Sequence, residues 1–423
     1  MRFLHTSDWH LGQDFHKFDR AHEHRQFLAW LTDTLVDTRT DVLLIAGDVF
    51  DVANPPAFAQ RMFFEFIVET RRRCPHLQTI VIAGNHDSGA RLEAPAELLK
   101  GYGTTVVGRV TSASSGLAAG ENFIMPLYSA SVAEKPRALC LGLPFFKNAD
   151  LQWSEKSCAY TDAVLRAYRQ AITEARQRYG TEIPLIGMGH LHARGGTSSL
   201  DSERRLVIGG EEAVPLQELA QEFSYIALGH LHLAQKVGEC ENVRYSGSPL
   251  PMSFSELNYP HQVILGELKD DNSVALEVLR IKRPVDLLRV PAKPMPVEDV
   301  LAALAQLELP TLPVPEQPYL EVPVLLTGPV PDLRHRIETV LKGKPVRLAK
   351  ISPARPGASV ESRGERQEDA DRPTLAGLDS LRKLDPLAVF RDLHARKYGQ
   401  SPDDELGRLF EEIMRDVSGE VEA

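Results

Sequence analysis

Residues 1–12 read MRFLHTSDWHLG, a short apolar run over Arg2–Thr6 that breaks off in Asp8-Trp9-His10. A continuous run of that length suits a strand buried on both faces. The figure recurs along the first 250 residues, at Val42–Ala46, 79–83, Ala138–Leu143, 184–188 and 225–228. Five of these runs, the first included, end in a polar turn: Asp8-Trp9-His10, Gly47-Asp48, Gly84-Asn85-His86-Asp87, Gly189-His190 and Gly229-His230-Leu231-His232. Helix-like segments lie between them. The stretch 23–38 carries Phe27, Leu28, Leu31 and Leu35 at spacings of three and four. Alternation of buried strands with helices predicts an α/β architecture. In an open α/β sheet the carboxyl ends of the strands share one crevice, so the five turns are expected to meet there.

Ala57–Arg73 departs from the simple pattern. Phe58, Met62, Phe63, Phe64, Phe66 and Ile67 form an apolar arc wider than one core contact needs. Either the helix is sandwiched inside one domain, or one side packs on the core and another on a second subunit.

The chain has 423 residues, enough for two or three domains. Its 43% hydrophobic and 25% charged residues are the mix of a soluble globular protein. With 48 Lys+Arg against 58 Asp+Glu the net charge is −10, so attraction for nucleic acid must come from local patches or bound cations. No stretch approaches the roughly 18 apolar residues of a membrane span. Asp8 and His10 stand where a signal peptide would need an apolar core. Cys74, Cys140, Cys158 and Cys240 lack paired spacing and read as free thiols, which together predict a cytoplasmic protein.

The texture changes after His261. Gln262–Leu268 and 274–281 suggest a strand pair, followed by helices at 297–307 and 331–342 and strands at 319–326 and 344–351. The expected division is a catalytic domain over 1–265, a small α+β capping domain over 266–351, a linker over 352–374 and two amphipathic helices over 375–423. The linker is rich in Pro, Gly, Ser and charge. In the last helix Ser401 is a plausible N-cap and Pro402 takes the first helical position. Leu406, Leu409, Phe410, Ile413 and Val417 then form one stripe. About fifty residues with two stripes cannot build a full core alone, so they must dock on the parent domain or on another chain.

The turns carry the chemistry. A phosphate ester is anionic and resists anionic nucleophiles. Two divalent cations roughly 3.5–4 Å apart hold it, lower the pKa of bound water and stabilise the leaving oxygen. Asp8, His10, Asp48, Asn85, His190, His230 and His232 supply seven ligands, with Asp48, in the middle of the set, expected to bridge. The nitrogen-rich mixture favours Mn²⁺, Fe²⁺ or Zn²⁺ over Mg²⁺ or Ca²⁺. His86, next to Asn85, can reach a phosphate and protonate the leaving oxygen, with Asp87 expected to orient it. A lone histidine at a strand end is more often structural. Asp-x-His, Gly-Asp, Gly-Asn-His-Asp and two histidine turns in that order are far more specific. Gly189-His190-Leu191-His192 mirrors the later His turn, so His190 or His192 could be the ligand. His190 directly follows the strand.

These turns resemble the signature of the calcineurin-like metallophosphoesterases, strongly over residues 1–260. Within that superfamily HTSDWHLG, AGDVFD, AGNHDS, IALGHLH and YSGSP resemble the nuclease subunits of bacterial DNA repair complexes. The resemblance implies a β-sandwich flanked by helices (α/β/β/α) with a small capping domain. It implies Asp8, His10, Asp48 and His232 at one metal, Asp48, Asn85, His190 and His230 at the other, and His86 as the catalytic histidine. It implies two Mn²⁺ ions, a homodimer formed by helices near the active face, and an SMC-type ATPase partner with a long coiled coil. No Gly-x-x-x-x-Gly-Lys-[Ser/Thr] loop is present, so ATP dependence is expected to come from that partner. Its expected contacts are Leu406, Leu409, Phe410, Ile413 and Val417. The loop 194–199, with Arg194, Thr197 and Ser198, is the expected DNA contact. The alternatives are a stand-alone phosphatase or phosphodiesterase, for which the C-terminal third has no evident use, and a non-cutting DNA-end scaffold, for which a complete ligand set has none.

Overall fold

The computed structural model describes residues 1–110, 112–113, 116–117, 123–130, 134–146, 160–198, 213–355 and 406–407. Met1–Pro356 form one compact unit and Gly357–Ala423 a second. Of the expected terminal helices, Leu406 and Gly407 are helical; Leu409, Phe410, Ile413 and Val417 lie outside the described residues.

Two six-stranded sheets form the body of the first unit. In the first, Arg2–Thr6, Val42–Ala46, Gln78–Ile82 and Thr104–Val107 run parallel in that order. Gln262–Leu268 and Val274–Arg280 extend it antiparallel beyond Arg2–Thr6. The second has the order Gln235–Val237, Cys240–Tyr245, Tyr225–Gly229, Leu185–His190, Ala138–Leu143, Ile124–Leu127, parallel in its four central strands. Alternation explains the uninterrupted apolar runs. Phe3, Val42, Leu44, Ala46, Ile80 and Ile82 enter one core with the second sheet. Leu4, Leu43, Ile45 and Val81 point the other way, into a core roofed by Ala21–Asp37 and Ala57–Arg73 through Phe27, Leu31, Phe63 and Phe66. Nearly every position is buried because both faces are covered. Tyr160–Tyr179 flanks the second sheet with Val164, Tyr168 and Ala175. The result is a mixed α/β sandwich of two sheets flanked by helices.

The strand pair Gln262–Leu268 and Val274–Arg280 corrects the expected boundary at 266. Leu4 pairs with Leu265 and His5 with Ile264, so the backbone of the first sheet continues through both strands. The change of texture marks an antiparallel edge whose outer strand alternates between exposed and half-buried positions, not a new domain. The small sheet begins at Leu287–Arg289. It joins Met295–Pro296 and Arg347–Ala354 to the central Tyr319–Leu325, all in parallel. Val300, Leu304, Ile337 and Leu341 of the helices Val297–Ala305 and Leu333–Leu341 pack on Leu320, Val322 and Val324. The last strand carries regular pairing to Ala354, two residues beyond the expected linker start. Phe15, Phe254, Val285, Leu287 and Tyr319 make a separate cluster that ties the small sheet to the sandwich.

Ala57–Arg73 buries Met62, Phe63, Phe66 and Ile67 and leaves Phe58 and Val68 exposed. Phe64 is half-buried beside an apolar hollow of about 440 Å³ shared with Phe50, Pro55, Leu92 and Leu98.

Candidate metal centre

The five turns do meet, but at the seam of two sheets rather than in the crevice of one. Asp8-His10, Asp48 and Asn85-His86 follow strands of the first sheet, while His190 ends a strand of the second and His230-His232 follow another. The ligand atoms of Asp8, His10 and His232 lie within 4.8 Å of one another. So do those of Asp8, Asp48 and His190, and those of His10, Asp48 and His86. Asn85 Oδ1 stands 2.9 Å from His190 Nε2 and 3.0 Å from His230 Nδ1. All seven expected ligands are therefore gathered. His192, which is half-buried, belongs to none of the three clusters.

The backbone is bent to achieve this. Eight described non-glycine residues have positive φ, and four are expected ligands: Asp8 at 55°, His10 at 46°, Asp48 at 49° and His230 at 103°. Such conformations are costly for side-chain-bearing residues and persist only where the surroundings hold them. Glycines make room. A Cβ on Gly84 would stand 2.1 Å from Asp48 Oδ1, and one on Gly229 would stand 1.9 Å from the Ala46 carbonyl. The sheets are also bonded together here, because the His230 N–H donates to Asp8 Oδ1 at 2.9 Å.

The polar groups are buried and incompletely matched. Both ring nitrogens of His10 are buried with no hydrogen-bond partner, although Asp51 Oδ1 lies 3.3 Å from Nδ1 and Asp48 Oδ2 lies 3.6 Å from Nε2. His190 Nδ1 meets the Ala46 carbonyl at 2.9 Å, while Nε2 faces two acceptors, Asn85 Oδ1 at 2.9 Å and Asp48 Oδ2 at 3.4 Å. Burial alone would strip His190 of its proton; the adjacent Asp48 carboxylate overrides that and lifts it to about 9. For Asp48, burial favours the neutral acid, yet His190, His10 and His86 hold it far below the usual carboxylate range. Burial pushes Asp8 up, against the pull of His190 and His232. His230 falls to about 3 through burial and its neighbour His190. A nitrogen lone pair and several oxygens directed at one point need a cation between them, and without a metal a proton on His190 fills that need. Asp8, His10, Asp48, Asn85, His190, His230 and His232 thus fit a divalent metal site.

Asp87 departs from its expected role. Its oxygens accept the backbone N–H groups of Gly84 and Val49 (2.9 and 3.2 Å) and of Phe50 (2.9 Å), so it clamps two turns together. Burial and the nearby Asp48 raise it to about 6. His86 is met instead by the Asp51 carbonyl, 2.7 Å from Nδ1, because the chain after Asp48 curls over the imidazole. Its ring stands edge-on to His10, with centroids 4.7 Å apart. Two contributors had no sequence signal. Ser7 Oγ donates to Asp8 Oδ2 at 2.6 Å, and Glu256 meets His232 Nδ1 at 2.9 Å. Arg194, Thr197 and Ser198 are exposed beyond His192, where the Thr197 backbone pairs both ways with the Gln235 side chain.

The family described as calcineurin-like phosphoesterase matches residues 1–234, and the family described as type 5 capsule protein repressor C-terminal domain matches residues 283–398. The SbcD subunit of nuclease SbcCD from Rhodobacter capsulatus is 37% identical over 92% of this chain and 93% of its own. The protein of that name from Escherichia coli K12 is 32% identical over 100% of both. In Bacillus subtilis it is 32% identical over 64% of this chain and 66% of its own. The chain belongs to the calcineurin-like phosphoesterases, and within them to the SbcD subunits of SbcCD nucleases. It is a metal-dependent hydrolase of the nuclease type.

Proposed function

We propose that this chain is the nuclease subunit of an SbcCD-type DNA repair and recombination complex, hydrolysing DNA phosphodiester bonds as an exonuclease on duplex ends and an endonuclease on hairpins and single strands. The observation that carries the reading is the convergence of seven candidate ligating groups from both sheets around a point where neither ring nitrogen of His10 is hydrogen-bonded and His190 Nε2 faces two acceptors. Asp8, His10, Asp48 and His232 would hold one ion, and Asp48, Asn85, His190 and His230 the other. The nitrogen-rich set suits manganese. Two such ions, when bound, neutralise phosphate charge and activate water.

The chain's own groups do the rest. Asp87 braces the turns that present Asp48 and Asn85. The Asp51 carbonyl accepts from His86 Nδ1, so the doubly protonated imidazolium would carry on Nε2 the proton that the departing oxygen takes, leaving the neutral Nδ1–H ring. Arg194, Thr197 and Ser198 contact backbone phosphates of the incoming strand. Phe58 and Val68 on Ala57–Arg73 meet a second copy across the outer face of that helix. The stripe Leu406, Leu409, Phe410, Ile413 and Val417 binds an SbcC-like SMC-type ATPase, which supplies ATP dependence to the complex in the cytoplasm.

The test uses the full chain with Mn²⁺ and three substrates: linear duplex DNA, a DNA hairpin and a bis-aryl phosphodiester. Cleavage of both DNAs, lost in His86→Gln while manganese binding persists, is the expected result. Turnover of the small ester alone would replace the reading with that of a stand-alone phosphodiesterase.

A further inference from the structure

Glu256 lies in a short 3-10 turn, Phe254–Glu256, outside the five strand-end turns. It is wholly buried, and the His232 it touches is buried too. Glu256 Oε1 meets His232 Nδ1 at 2.9 Å. Glu256 Oε2 accepts the Met252 N–H at 2.8 Å and lies 3.5 Å from Ser248 Oγ. A carboxylate is an acceptor only, so His232 must carry its proton on Nδ1 and offer the Nε2 lone pair to the cluster of Asp8 and His10.

The turn that holds Glu256 is itself fastened. The Arg20 guanidinium, wholly buried, donates to the Pro251 carbonyl at 2.8 Å, one residue before Met252. It also makes a two-pronged pair with Glu23 at 3.0 and 2.9 Å. Glu23 Oε1 accepts the Tyr319 hydroxyl at 2.8 Å, and Tyr319 begins the central strand of the small sheet. An unbroken buried series of polar contacts thus runs from the small sheet through Glu23, Arg20 and the 251–256 turn to the imidazole of His232.

We propose that Glu256 is a positioning residue for the nuclease reaction: it sets the tautomer and ring direction of His232, and Arg20 holds its turn in place from the small sheet. This rests on the reading of His232 as a metal ligand. Second-sphere acceptors of this kind typically account for about 10–100-fold in metal affinity.

The experiment titrates the metal-free full-length protein with Mn²⁺ in a calorimeter and records the visible spectrum after Co²⁺ loading. It compares wild type, Glu256→Gln and His232→Ala. Glu256→Gln is expected to weaken one of two ions by about 10–100-fold and to change the Co²⁺ spectrum, while the metal-free variant still unfolds cooperatively. His232→Ala is expected to lose that same ion. If His232→Ala loses an ion and Glu256→Gln matches wild type in affinity and spectrum, the role of Glu256 is overturned while the ligand reading stands. If His232→Ala keeps both ions, the ligand reading itself falls. A measurement on metal-free wild type guards against a variant that fails to fold. Histidine ¹⁵N shifts, with His232 assigned by its loss in His232→Ala, are expected to show the Nδ1–H tautomer; the Nε2–H tautomer would overturn the proposal.

Discussion

His5 and His10 are both buried and close in sequence, one within the first strand and one just past it, and their surroundings are opposite in kind. His5 sits between the two sheets, where Nδ1 lies 2.9 Å from the Tyr225 hydroxyl and Nε2 lies 3.1 Å from the Leu228 carbonyl. Its neighbourhood is closed. His10 sits where the sheets end, with neither ring nitrogen hydrogen-bonded, on a backbone of positive φ. A buried polar group without a partner costs free energy comparable to a lost hydrogen bond. His24 is buried with unmatched nitrogens too, so what sets His10 apart is that its nitrogens converge with Asp8, Asp48 and His232. Neither burial nor unmatched nitrogens alone separate a structural histidine from a candidate ligand; unmatched nitrogens clustered with carboxylates do.

That contrast can be broken by substitution at either end. The largest effect belongs to the site. His86→Gln should lower DNA cleavage by about 10²–10⁴-fold with manganese affinity nearly unchanged; a comparable loss of affinity would mean that His86 is a ligand, as its place within the His10–Asp48 cluster allows. At the other end, His5→Ala should cost about 2–4 kcal/mol of unfolding free energy in urea, by opening a cavity and orphaning the Tyr225 hydroxyl, and should leave manganese affinity alone. A change in ion affinity would erase the distinction between the two histidines. Manganese at about 100 times its dissociation constant should stabilise the protein by about 2.7 kcal/mol, read as a shift of the urea midpoint. His10→Ala should lose part of that gain, and His5→Ala none of it.

The smallest effect is in pH. Burial lowers His5 to about 3, against 6.5 in the unfolded chain. The folded state thus binds fewer protons than the unfolded state between those values. The stability contributed by neutral His5 is complete above about pH 6.5 and falls as pH drops toward about 3, by at most about 1.4 kcal/mol per unit. Comparing urea midpoints at pH 7 and pH 5 for wild type and His5→Gln isolates the term. Equal slopes in the two proteins would show that His5 titrates freely and is not enclosed.

The strands that bear the site were legible because each is a continuous apolar run ending in a polar turn. Three of the six expected runs have the observed bounds, Arg2–Thr6, Val42–Ala46 and Ala138–Leu143. What the residues could not tell is which runs share a sheet. Parallel strands buried on both faces look alike in either sheet, so the residues suggest one crevice where two sheets meet. Thr104–Val107 and Ile124–Leu127 are four residues each, too short to stand out. Tyr160–Tyr179 carries Ala163, Ala167, Ala171 and Ala175 at helical spacing, but small side chains make a faint stripe. The residues that converge at the seam were legible as a set and in order. Asp87 was not, because adjacency to His86 suggested a side-chain partner whereas the folded turns offered it three N–H groups. Glu256 could not be found at all, since nothing in Ser253-Phe254-Ser255-Glu256 distinguishes it from an ordinary turn.

The seam location has a mechanical corollary. If ions bind at this seam as proposed, held by Asp48 from one sheet and by His190 and His230 from the other, they would rivet two layers that otherwise adhere mainly through oily side chains. A chelator should then do more than silence the enzyme: it should let the layers slip at that edge, so that amide exchange quickens around residues 47–50 and 229–232 while the far edge of the sandwich stays as protected as before.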